Sequence, residues 1–151
     1  MTKNKWGWAV IGLMAGMMLT ACGGTTEGEE SPYSADEINQ LEGVTMETTE
    51  ASYPVGTEMV DLVIKNDSDE EVYYGVAFSV EKQDGNRWVI VPFEDDVSWI
   101  EIALMLAPKG QNEETVSFDL LENELTEGTY RIIKEIAGNP VSAEFEIVET
   151  E

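Results

Sequence analysis

The chain reads TYRIIKEI from Thr129 to Ile136, GNP at 138–140 and VSAEFEIV from Val141 to Val148. Ala143, Phe145 and Ile147 recur at every second position, which is the period of a strand whose side chains alternate between two faces. Glycine and proline in the intervening residues are typical of a turn. This stretch therefore predicts two β-strands joined by a tight connection.

The same period extends back through the chain to Leu41. Predicted strands cover residues 44–48, 60–64, 72–80, 88–92 and 116–120, and residues 99–106 are a strand or a distorted edge segment. Turns are predicted at 53–56, 66–70, 84–86 and 107–110. Seven or eight short strands with no convincing helix favour an all-β, antiparallel β-sandwich. A small closed barrel is the competing architecture, because alternation does not distinguish a closed sheet from two stacked sheets.

The first residues have the character of a secretory signal. Lys3 and Lys5 precede an apolar run at 6–19, and small residues follow it. A membrane-spanning helix needs about 20 mostly apolar residues, whereas this run is shorter and contains three glycines. We therefore expect a cleaved signal rather than a spanning anchor.

Leu19-Thr20-Ala21-Cys22 contains the only cysteine of the chain and resembles the lipobox of bacterial lipoproteins. The resemblance implies a signal peptide at 1–21 and a mature chain whose Cys22 carries acyl chains such as palmitate. It places the protein on the cell membrane, lipid-anchored at the extracytoplasmic face. The alternative is a free thiol, which would be open to oxidation on a secreted protein.

Beyond Cys22 the composition changes to Gly, Thr and Glu, with no apolar residue in 23–32. Such a segment cannot bury enough surface to offset its ordering entropy. We predict a flexible tether at 22–40 and one domain at 41–151. Ser34 with Glu37 resembles a capping box, but the apolar run that should follow is missing.

Composition excludes several classes of function. The formal charge of −23 excludes nucleic acid as a partner, since backbone binding needs clustered Lys and Arg. Anionic headgroups repel the same charge, so only the lipid would hold the domain at the membrane. The absence of His and of a second Cys excludes Ser-His-Asp and Cys-His sites, imidazole or thiolate zinc sites and redox dithiols. We expect no cofactor.

Leu125–Arg131 lies just before the penultimate predicted strand. In Ig-like sandwiches this place holds a tyrosine corner, whose hydroxyl bonds to backbone a few residues upstream, and Tyr130 fits it. Other matching residues are Gly75, Phe78, Trp88, Pro108, Gly110, Ala143 and Phe145. Over about residues 42–149 the chain resembles bacterial Ig-like domains of secreted proteins and lipoproteins, although it lacks the paired cysteines of antibody domains. The resemblance implies a spacer or interaction module and no reaction.

Two acidic clusters are candidate sites. Asp67–Glu71 places oxygen ligands at alternate positions, as a calcium loop does. The sixth position from Asp67 is Val72 instead of Gly, and the twelfth is Phe78 instead of Glu. We interpret this cluster as a solvated turn, with a looser calcium site left open. Glu94-Asp95-Asp96 offers paired carboxylates, but such a cluster is expected by abundance in a chain with 31 acids. We assign no metal-binding or catalytic residue.

Trp99 and Tyr73 are candidate contacts for a partner, because Trp and Tyr are enriched at binding hot spots. Burial under a loop or across a sheet is the alternative.

We predict a non-enzymatic, lipid-anchored protein whose domain binds an envelope or extracellular protein or acts as a spacer. The alternative is an extracytoplasmic proteinase inhibitor, since a bacterial inhibitor family has a similar sandwich, and Phe93–Ser98 is the loop to inspect. An enzyme built on carboxylates alone is the third hypothesis.

Overall fold

A computed structural model of the protein describes residues 27–151, so Cys22 and the predicted signal peptide lie outside the described residues. The strands are β1 (Val44–Thr48), β2 (Ser52–Pro54), β3 (Met59–Asn66), β4 (Val72–Tyr74), β5 (Ser79–Asp84), β6 (Arg87–Val91), β7 (Leu104–Leu106), β8 (Gln111–Ser117), β9 (Gly128–Ile136) and β10 (Asn139–Val148). Across 27–151 the only helical element is a 3₁₀ turn at Phe118–Leu120. In this part of the chain, no helix has the length and apolar character to cross a membrane.

The strands form two sheets. One has three strands in the order β1-β3-β8, and the other has seven, with β10 and β9 at its centre and β2 at the edge next to β10. Beyond β9 the seven-stranded sheet divides, because β4 and β5 both pair with β9, and each has its own outer partner, β7 and β6. The two sheets enclose a core that includes Leu62, Ile64, Tyr130, Ile132 and Phe145. The predicted β-sandwich is therefore confirmed, and all its ladders are antiparallel except the one between β2 and β10.

The long strand predicted at 72–80 is wrong in its middle. Tyr74 pairs with Ile136 and Ser79 pairs with Ile133. The chain therefore advances by five residues between these two pairs, whereas β9 advances by only three. The two extra residues leave 75–78 outside the ladder. Because two residues is also the period of side-chain alternation, Tyr74 and Val80 both still face the core. The sequence pattern consequently looks continuous across a break in the strand.

Two other segments differ from the expected pattern. Only a turn is predicted at 53–56, but β2 forms there because it adds to the edge of β10, and the Tyr53 ring packs on Phe145 at 6.0 Å between centroids. The strand predicted at 116–120 ends at Ser117, whose side chain accepts a hydrogen bond from the Asp119 backbone and caps the 3₁₀ turn. The expectation of a strand or distorted edge at 99–106 is confirmed by β7 at the sheet edge.

The structure also corrects the tether prediction, because residues 29–39 cross the outer face of the seven-stranded sheet. Ile90 N donates to the Glu29 carbonyl at 2.7 Å and Asn39 N donates to the Pro140 carbonyl at 2.9 Å. Ile38 is only 8% exposed. The polar segment is ordered because the edge of β6 offers backbone groups that need partners. The low apolar content of the segment gives no sign of this backbone pairing. We call residues 29–39 the N-terminal strap.

Candidate functional site

Tyr130 forms the predicted tyrosine corner. Its hydroxyl donates to the Thr126 carbonyl at 2.8 Å, its ring stacks on Phe145 at 5.8 Å, and the residue is 2% exposed. Both its apolar ring and its hydroxyl are thus satisfied inside the domain. The tyrosine serves the architecture, as the sequence predicts.

An ion pair lies buried beneath the N-terminal strap, on the outer face of the seven-stranded sheet. Arg131 Nε lies 2.7 Å from Glu81 Oε2, and the two side chains are 6% and 1% exposed. The guanidinium lies 4.3 Å from the Trp88 ring centroid and also donates to Ser31 Oγ at 3.3 Å. Sequence reasoning missed this pair because charged residues at outward strand positions are expected to be solvated. We call β5, β6 and the part of β9 under the strap the covered half of the sheet.

The middle of the strap is held by a tyrosine. The Tyr33 hydroxyl donates to Glu135 Oε1 of β9 at 3.0 Å. Burial, together with the hydrogen bond to this carboxylate, raises the pKa of Tyr33. At the far end, the Asn39 side chain exchanges two hydrogen bonds with Ser142 of β10. The strap is therefore attached from β6 across to β10.

A second buried cation links the two sheets. Lys134 Nζ, on a side chain that is 1% exposed, lies 2.9 Å from Glu114 Oε2 of β8. The same ammonium donates to the Val76 carbonyl at 3.2 Å and lies 5.5 Å from the Tyr74 ring. It thereby satisfies a carbonyl in the segment that leaves the β4–β5 ladder. We interpret this pair as a structural support for residues 75–78.

Trp99 belongs to a cluster of three aromatic rings. Its ring centroid lies 5.0 Å from that of Phe78 and 5.5 Å from that of Phe93, which also contact each other at 5.5 Å. The Trp99 side chain is half-buried, so much of its surface packs inside the domain and only the rest is open to a partner. The cluster fixes the start of the irregular segment that leads to β7.

Next to this cluster lies a groove between residues 73–77 and 99–103, with a volume of about 770 Å³. Four large apolar side chains at or beside it are exposed, namely Tyr73 (48%), Ile100 (68%), Ile102 (46%) and Met105 (50%). Contiguous exposed apolar surface of this kind marks interaction sites in soluble proteins. The structure thus brings the two predicted contact residues, Tyr73 and Trp99, to one apolar groove. We call β4, β7 and the groove the uncovered half of the sheet.

Tyr73 carries a polar group at the rim of the groove. Its hydroxyl donates to Glu71 Oε1 at 3.0 Å. This hydrogen bond, with the negative charge of the carboxylate, raises the pKa of Tyr73. Glu101 lines the groove from the opposite segment. The apolar walls therefore meet carboxylates on both sides.

The acidic clusters have other partners. The Lys109 ammonium donates to the Asp67 carbonyl and lies 3.4 Å from Asp69 Oδ1. A cation of the chain itself thus neutralises part of the negative charge of the 67–71 turn. Among residues 27–151, no group of three or more acidic, His or Cys side chains is placed to hold a metal ion. The carboxylates of 94–96 are exposed, and the Glu94 backbone bonds to the Leu120 carbonyl at 2.9 Å.

Comparison with known proteins identifies the sandwich. The family model described as bacterial Ig-like domain matches residues 40–146. Among curated proteins, none matches the chain significantly.

Solved structures give only remote likenesses. The alkylpurine DNA glycosylase AlkC of Pseudomonas fluorescens, bound to DNA with an abasic site analog, has 13% identity and a TM-score of 0.41, and the match covers 70% of this chain and 30% of that one. A β-glucosidase of Listeria innocua has 18% identity and a TM-score of 0.35, covering 69% and 16%. The PapD-like domain 7 of human CEP192 has 15% identity and a TM-score of 0.33, covering 84% and 98%. The chain thus spans less than a third of the first two proteins, and at these scores none of the three bears on its function.

Proposed function

Because this chain belongs to the bacterial Ig-like domain family, we propose that it is a non-catalytic, lipid-anchored extracytoplasmic protein whose domain binds another protein. The observation that carries the binding role is the groove of the uncovered half, where four large apolar side chains remain between 46% and 68% exposed. A pure spacer would have no use for such a surface, since exposed apolar area is an aggregation liability unless it is a binding site.

The proposed anchor is a lipid on Cys22. The strap is attached to the sheet from Glu29, seven residues beyond Cys22. An extended segment of this length spans at most about 25 Å. The lipid would therefore hold the domain close to the bilayer surface, with only a short connection between them.

The anchor is tested by Cys22→Ser in the producing cells. We expect the variant to leave the detergent-soluble membrane fraction or to accumulate as an unprocessed precursor, because acylation needs the thiol. Fractionation and immunoblotting measure this directly. Unchanged processing and membrane retention would show that Cys22 is not the point of attachment.

The binding role is tested by chemical cross-linking in intact cells, followed by purification of the protein and identification of the cross-linked species. We expect one or a few specific proteins of the envelope or the medium. Recovery of the uncross-linked protein alone, at several cross-linker lengths, would contradict an interaction function and leave the spacer role.

A proteinase inhibitor is the alternative function. The loop at 93–98 is fixed at its base by the Phe93 ring and by the bridge between Phe93 and Leu121. Its carboxylates at 94–96 are exposed, as an inhibitory segment must be. Stoichiometric inhibition of one member of a panel of serine and cysteine proteinases, abolished by replacing 94–96 with Gly-Ser-Gly, would favour this alternative.

A further inference from the structure

The two walls of the groove carry a single sign of charge. Residues 66–81 and 88–108, which include both walls, contain no Lys or Arg. Glu71 lies at the rim through its bond with Tyr73, and Glu101 lines the groove itself. The ammonium of Lys134 reaches Val76 beneath the groove, but it is 1% exposed and paired with Glu114. The groove therefore offers apolar walls and negative rims, with no accessible cation on either wall.

From this combination we propose that the groove binds a segment of a partner protein in which apolar side chains alternate with, or are flanked by, lysine or arginine. The proposal rests on the interaction function above and specifies its ligand. Apolar side chains of the segment would cover Ile100, Ile102 and Tyr73. Its cations would lie opposite Glu71 and Glu101, which raises the association rate and selects against acidic partners.

Charge also decides against a second copy of the chain as the occupant. Each copy carries a formal charge of −23, and the groove of one copy would meet a surface of the same sign. Like charges that face each other across an interface disfavour association. A cationic segment supplies the complementary sign, so it is the occupant that the charge pattern favours.

The probe is a capped ten-residue peptide of alternating leucine and lysine. The controls are the leucine–glutamate and serine–lysine peptides of the same length. The purified full chain is kept in detergent because of its proposed lipid, and peptide binding to it is measured by calorimetry. Titration of each peptide into the same detergent without protein is the blank. We expect the leucine–lysine peptide to bind at least about tenfold more tightly than either control, and to bind more weakly at high salt because exposed charges are screened.

Point variants place the binding in the groove. Ile100→Ser removes an exposed apolar side chain, so the fold should persist, and we expect a loss of affinity of about fivefold or more. Glu101→Lys should also weaken binding by reversing one rim charge. The matched control is Met59→Ser, because Met59 is 57% exposed on the three-stranded sheet, outside the groove. It should leave the affinity unchanged.

Three results would overturn the inference. They are equal affinity for the leucine–lysine and leucine–glutamate peptides, equal effects of Ile100→Ser and Met59→Ser, and self-association at the groove that Ile100→Ser abolishes. If cellular partners are captured equally well by the Ile100→Ser variant, the groove is wrong while the interaction function stands. If the groove binds the leucine–lysine peptide as described but no partner is captured in cells, the preference of the groove for an apolar, cationic peptide stands and the interaction function fails.

Discussion

The covered and uncovered halves of the seven-stranded sheet use the same central strand and have opposite surfaces. Under the strap, Arg131 and Glu81 are almost fully buried although both are charged. Along β4 and β7, Tyr73 and Met105 are about half exposed although both are large and apolar. Burial on this outer face therefore follows the path of the strap and not the polarity of the residues.

The difference has an energetic consequence. A buried ion pair stabilises little in itself, because desolvation offsets its attraction, but it becomes costly when one partner is lost. Exposed apolar side chains have the reverse property, since replacing them costs the fold little and changes what the surface binds. The covered half should thus respond to mutation in stability, and the uncovered half in binding.

The largest effect is expected for Arg131→Ala. It leaves the Glu81 carboxylate buried at 1% exposure without its cation, so we expect the free energy of unfolding to fall by about 3–5 kcal/mol. Urea denaturation followed by near-ultraviolet circular dichroism measures the change. The double variant Arg131→Met with Glu81→Leu should recover most of the loss. An equally severe double variant would show that the strap site needs the charges themselves.

Next comes a matched pair of isoleucines. Ile38 of the strap is 8% exposed and Ile100 of the groove is 68% exposed. Ile38→Ala should destabilise the domain by about 2–3 kcal/mol through lost burial, whereas Ile100→Ala should cost less than about 0.5 kcal/mol. Thermal and urea unfolding of the two variants are compared directly. Similar losses in both would mean that the strap adds nothing to stability.

A matched pair of tyrosines gives a smaller contrast. Tyr130→Phe removes the hydrogen bond to the Thr126 carbonyl and should cost about 0.5–1.5 kcal/mol. Tyr73→Phe removes a hydrogen bond to the exposed Glu71 carboxylate, and we expect no measurable loss of stability. Equilibrium denaturation resolves the two cases. A harmless Tyr130→Phe would contradict the structural role of the tyrosine corner.

The smallest effect concerns pH and the strap. The pKa of Tyr33 is raised in the folded protein, first by burial and then by Glu135, so the folded state favours the neutral phenol. The associated stability is fully present below the unfolded value of about 10 and is lost as the pH rises through the folded value. Between pH 8 and pH 11 the wild type should therefore lose more stability than Tyr33→Phe. Parallel losses would show that the Tyr33–Glu135 hydrogen bond does not persist in solution.

Much of the sandwich could be predicted from local pattern. Val60, Leu62 and Ile64 recur at every second position and lie in β3, and the run from Thr129 to Val148 forms the β9–β10 hairpin. Tyr130 could be placed because the corner depends on a partner only four residues away. The exit of 75–78 from its ladder was not predictable, because two extra residues leave the alternation of polarity unchanged.

The candidate site could be predicted only in part. Tyr73 and Trp99 stood out by residue type, but they are 26 residues apart in the sequence, and only the antiparallel pairing of β4 with β7 brings their segments together. The Arg131–Glu81 pair joins residues 50 positions apart. Neither association leaves a signal within a window of ten or twenty residues.

Local pattern predicts most of the strands and turns, the sandwich class and the tyrosine corner, because these depend on side-chain period and on contacts between near neighbours. The path of the strap, the charges that it buries and the apolar residues that it leaves exposed depend on tertiary contacts. The physical reason is that burial is a property of the surfaces that meet. A polar segment of low hydrophobicity can be ordered when a sheet edge supplies partners for its backbone, and an apolar strand stays exposed when nothing covers it.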